Sequence, residues 1–76
     1  MKLQQAIELG KEGRWLGAQV RVNPGSRGHW FVMLQDTRHK SFVLADEEDQ
    51  PITCEDINVL ARHIRSIGLK EFTVFL

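Results

Sequence analysis

Between Trp15 and Val22 apolar and polar side chains alternate, and the run stops at Asn23-Pro24-Gly25. Alternation with period two marks a half-buried strand. Here it sets Leu16, Ala18, Val20 and Val22 on one face and Trp15, Gln19 and Arg21 on the other. Pro24 presets the first central φ of a turn and Gly25 accepts a positive second φ, so the tripeptide predicts a type II turn and a reversal of the chain. The chain must then return beside its own strand, and an antiparallel sheet is the frame into which the rest has to fit. His29–Gln35 and Lys40–Ala45 supply two further strands, joined by the polar stretch Asp36–His39, and complete a three-strand meander.

Helices flank the meander. Leu3, Ala6, Ile7 and Gly10 fall at helical spacing within residues 2–12, in a short amphipathic helix that Gly10 and Gly13 weaken and then end. Beyond the acidic stretch Asp46–Asp49, Pro51 and the run Thr53-Cys54-Glu55-Asp56 signal a helix start, with Thr53 as its cap and the carboxylates at the positive end of the dipole. Ile57, Leu60, Ala61, Ile64 and Ile67 form the stripe of a helix buried on one side, and Gly68 stops it. Glu71–Leu76 alternates again. The expected fold is a small two-layer α+β domain over residues 1–76, in the order α-β-β-β-α-β, an antiparallel meander plus a C-terminal strand. The last crossover makes that strand parallel to the first, at whose edge it pairs. The second helix is expected on the Leu16, Ala18, Val20, Val22 face.

Seventy-six residues leave no room for a second domain and bury barely enough surface to fold. A lone Cys54 excludes an internal disulfide, and one Cys with three His argues against a structural zinc, so self-association is the remaining way to add stability. With 42% hydrophobic and 26% charged residues the composition is that of a globular domain. Charges at Lys2, Glu8, Lys11, Glu12 and Arg14 break up any signal peptide, and the longest apolar run, Trp30–Leu34, is too short to cross a bilayer. A cytoplasmic protein with a reduced thiol and no membrane partner is expected.

Catalytic constellations fail on spacing. Cys54 and His63 are a nucleophile and a base in type, but nine helical residues turn through about 900° and set them on opposite faces. His29, Ser26 and Asp36 make no triad, because Asp36 lies at the far end of the strand that His29 begins. Asp46–Asp49 lacks the alternating oxygens and central glycine of a calcium loop and reads as a solvated acidic loop. Gly25-Ser26-Arg27-Gly28 has the glycines of an anion nest but joins two strands, where a plain turn is the simpler reading. No enzyme, cofactor or metal is therefore expected.

Charge is unevenly spread: residues 1–40 hold seven basic and three acidic side chains, residues 41–76 three basic and seven acidic. Arg21, Arg27, His29, Arg38 and Lys40 interleave with Trp15, Trp30 and Phe31, a mixture found on nucleic-acid-binding surfaces. The order helix, three strands, helix is similar in outline to the double-stranded-RNA-binding fold, which small mRNA-cleaving toxins share. The lysine run that family carries at its second helix is absent, Thr53-Cys54-Glu55-Asp56 standing there, and the fourth strand is additional. The outline implies an RNA-binding alternative, with or without cleavage at His29, and no family assignment.

Alternation is clean only in the first strand. In the second, Trp30, Val32 and Leu34 oppose Phe31 and Met33; in the third, Phe42 and Leu44 oppose Val43 and Ala45; in the last, Phe72, Val74 and Leu76 oppose Phe75. A sheet apolar on both faces needs a helix on each, or a partner on one. The expected function is a binding or regulatory module acting by protein contact, with a protein partner or a second copy of itself. The expected interface is the face of Trp15, Gln19 and Arg21, extended by one parity of the second strand.

Overall fold

The computed structural model describes all of residues 1–76. Its elements are α1 (Leu3–Lys11), β1 (Trp15–Val22), β2 (Trp30–Asp36), β3 (Ser41–Val43), β4 (Thr53–Cys54), α2 (Ile57–Ser66) and β5 (Thr73–Phe75). The sheet runs β3-β2-β1-β5, with β4 also pairing to β2. β1 and β2 are antiparallel, as are β2 and β3, and β5 lies parallel to β1 with Val74 opposite Val20. The α+β class, the meander and the parallel last strand are as the sequence predicts.

Both helices pack on the same face of the sheet. Ala6 of α1 and Leu60, Ile64 and Ile67 of α2 and its C-cap close over Ala18, Val20, Val32 and Leu34, with Leu44 completing the core. The stripe on α2 explains its placement, since burying its leucine and isoleucines is worth about 1.5–3 kcal/mol per side chain. A division of the helices between the two faces is thereby excluded.

The face assigned to β1 needs correction at its start. Trp15 lies opposite Asp36 and Gly17 opposite Gln35, so β1 spends two residues where β2 spends one. This bulge reverses the parity of everything before Gly17. Trp15 turns into the core, 8% exposed, and Leu16 is thrown outward, 54% exposed. At the other end Val22 is exposed as well, so of the four residues expected beneath α2 only Ala18 and Val20 are covered.

Two other local readings change. The cap of α2 is Asp56, whose carboxylate accepts from Asn58 N–H at 2.9 Å, and Thr53 instead sits in β4, opposite Phe31. β4 continues the line of β3: Leu44 N–H donates to Val32 O, the chain leaves the sheet over residues 45–52, and Thr53 takes the next place on β2. Between β1 and β2, two successive turns close with Ser26 N–H on Asn23 O and His29 N–H on Ser26 O. The positive φ there belongs to Gly28, at 86°, rather than to Gly25, whose N–H is held by the Asn23 side chain.

The hairpin tips Asp36–Lys40 and Asp46–Gln50 are built alike. Each opening aspartate accepts two backbone N–H groups, from Arg38 and Lys40 in one and from Glu48 and Gln50 in the other. Each tip also has a non-glycine residue at positive φ in fourth place, His39 at 66° and Asp49 at 63°. The Lys40 N–H, with that of Arg38 and both side-chain charges helping, holds the Asp36 carboxyl below the ordinary aspartate value despite some burial. A depressed folded pKa adds stability above the unfolded value of about 3.9 that is lost as pH falls through the folded one. Asp36→Asn should therefore flatten acid unfolding below about pH 4. Titration of the Asp36 carboxyl by NMR at or above the ordinary value would overturn this.

Candidate functional site

With both helices on one side, the other side of the sheet is open, and the register assigns its residues. One row crosses the sheet as Thr53, Phe31, Arg21, Phe75; the next as Val43, Met33, Gln19, Thr73; a third as Ser41, Gln35, Gly17. Phe31, Met33 and Val43 are half-buried among their neighbours although no helix covers them, and Phe75 is exposed.

Arg21 is the one formally charged side chain in these rows, and it is held in place. Its guanidinium carbon stands 4.3 Å from the centroid of the Phe75 ring, a cation–π contact. Its Nε and Nη2 donate to Gln19 Oε1 at 3.0 and 2.8 Å. Two of the side chain's donor groups are spent on Gln19, two residues back on the same strand, and the rest have no partner within the chain. At the rim, Asn23, Pro24, Phe31, Val43 and Pro51 surround a shallow cleft of about 220 Å³.

Gln19 and Arg21 therefore lie on the open face as the alternation predicts, whereas Trp15 does not. Trp15 Nε1 donates to Ala6 O at 2.8 Å, and the indole packs edge-on against Phe42 with centroids 5.9 Å apart. It is a core residue of the helix layer. Phe31, Met33, Val43 and Phe75 take its place, and their signal was the second apolar parity of their strands.

The residues of the nucleic-acid alternative are divided. Arg27 and His29 sit in the connection before β2, while Arg38 and Lys40 sit in the tip after it, about 20 Å away along seven strand residues. Only Arg21 is on the face between them. His29 faces a carboxylate, its Nε2 being 3.6 Å from Glu55, and its Nδ1 is 2.8 Å from Ser26 Oγ. Asp36 is at the other end of β2 from this pair. Cys54 Sγ accepts from Asp56 N–H at 3.4 Å, and His63 borders a cleft with Leu3, Asp46, Glu47 and Thr53. No three His, Cys, Asp or Glu side chains gather where they could share a metal ion. No helix is long and apolar enough to cross a membrane. Comparison with known proteins adds no relative to this geometry: no family model, curated protein or solved structure matches the chain.

Proposed function

We propose that this domain is a non-enzymatic binding module that engages another protein through its open sheet face. The observation that carries the reading is the placement of both helices on one side of a sheet whose strands are apolar on both. Phe31, Met33, Val43 and Phe75 are left around a single oriented cation. Contiguous apolar surface of this kind, with an aromatic and arginine centre, is what protein interfaces use as anchors. Arg21 supplies orientation, since a partner that buries it has to present an acceptor there. The spread of Arg27, His29, Arg38 and Lys40 to opposite ends of β2 weighs against one phosphate-tracking surface.

The test is affinity capture from the source cell, followed by rebinding of the purified partner to wild type, Arg21→Ala and Phe31→Ala. Each substitution is expected to weaken binding by about tenfold or more, with far-UV circular dichroism unchanged. Binding should vary little between about 50 and 200 mM salt, whereas a nucleic-acid ligand would lose orders of magnitude over that range. Steep salt dependence, abolished by Arg21→Ala with Arg27→Ala, would replace this reading with the nucleic-acid one.

A further inference from the structure

The two edges of the sheet are treated differently. On the β3 side residues 1–3 run alongside the strand: the Met1 amino group donates to Val43 O at 2.9 Å, Ala45 N–H to Met1 O at 2.7 Å and Leu3 N–H to Ala45 O at 2.9 Å. At Val43–Ala45 that edge is covered by the chain itself. The other edge is β5, which has β1 on one side and no strand on the other. Exposed edges are normally guarded by a charge, a proline or a bulge. Phe72–Leu76 contains no charged residue and no proline, and Val74, Phe75 and Leu76 are exposed. Shortness is its one protection.

We infer that β5 pairs antiparallel with β5 of a second copy, about a two-fold axis at Val74, to make one continuous sheet. The register follows from the side chains. Phe72, Val74 and Leu76 share the helix-side parity, where Phe72 already packs against the core and Leu76 is fully exposed. A two-fold axis at Val74 sets Val74 against its mate and Leu76 against Phe72 of the second copy, in both directions, so the row is self-complementary. On the open side Phe75 meets Thr73 of the second copy, and no charged side chain falls within the paired stretch Phe72–Leu76. Because a two-fold contact uses the β5 edge of both copies, pairing stops at two and does not propagate into a fibre. The gain suits a chain with 11 of its 76 residues buried, close to the size at which single domains become marginal. This dimer does not depend on the function proposed above, and it leaves the open face free.

Sedimentation equilibrium from about 10 µM to 1 mM should give a monomer–dimer equilibrium, since an interface this small belongs to the weak class. Leu76→Lys, at a fully exposed position, should raise the dissociation constant about tenfold, with the thermal midpoint unchanged at concentrations where the wild type is monomeric. In a Cys54→Ser background, Val74→Cys should oxidise to a cross-linked dimer, because paired antiparallel residues have Cα atoms about 4.5–5.5 Å apart. Leu16→Cys, exposed on β1, should not. A monomer at every concentration, a dimer indifferent to Leu76→Lys, or equal cross-linking at Leu16 and Val74 would each overturn the pairing. Phe31→Ala should leave the dimer intact, so loss of partner binding and loss of self-pairing are read separately.

Discussion

Trp15→Ala should cost the domain about half of its stability or more at room temperature. The indole joins the two layers: it lies between α1 and the sheet, stacks edge-on against Phe42, and donates from Nε1 to Ala6 O in the core. Truncating a buried aromatic costs about 3–5 kcal/mol, and loss of the bond to Ala6 O adds to this. A domain of this length has roughly 4–11 kcal/mol in total. Trp15→Phe keeps most of the packing and removes only the donor, for about 0.5–1.5 kcal/mol, so it should fold with a lowered thermal midpoint. Circular dichroism melts of the two variants make the comparison. A folded Trp15→Ala protein melting within a few degrees of wild type would mean that Trp15 is a surface side chain after all, as simple alternation along β1 implies.

That alternation misplaces Trp15 for a physical reason. A bulge is a property of a pair of strands, set by how β1 meets β2, and Trp15-Leu16 are both apolar, so neither parity conflicts with their chemistry. The same limit applies to Thr53. Thr53 and Asp56 both have the side chain of a helix cap, and the choice falls to Asp56 because β4 has claimed Thr53 for pairing with Phe31, across an excursion of residues 45–52 that no local pattern announces. Gly25 and Gly28 pose a similar ambiguity. The α2 stripe, by contrast, rests on five spaced side chains and survives any single local exception. The open face was legible in part for the same reason: the second parity of Phe31, Met33 and Val43 needed cover, and the strands themselves show nothing of where the helices go. Only the placement of α1 and α2 on one side leaves that second parity without a helix over it.

The end of α1 meets the C-cap of α2 closely enough for one glycine to control the contact. Gly10→Ala should destabilise the domain by about 3 kcal/mol, the upper part of the range for overpacking. Helix propensity alone argues the other way, since alanine in place of a helical glycine gains about 1 kcal/mol. The contact decides the sign. A Cβ at Gly10 would stand 1.8 Å from Ile67 O and 2.9 Å from Ile67 C, which are backbone atoms with no rotamer to change. Ile67 is the C-cap of α2 and is followed by Gly68 at φ 102°, so moving its carbonyl means moving the end of the helix. The alternative is to lift α1 away, which uncovers Ala6 and breaks the bond from Trp15. Gly17→Ala is the control, because Gly17 lies at the β1 bulge with ordinary φ and nothing within 4 Å of its Cβ position. Urea unfolding should show the midpoint falling sharply for Gly10→Ala and little changed for Gly17→Ala, at similar m values. A Gly10→Ala protein as stable as wild type would mean that the helices do not meet at Ile67.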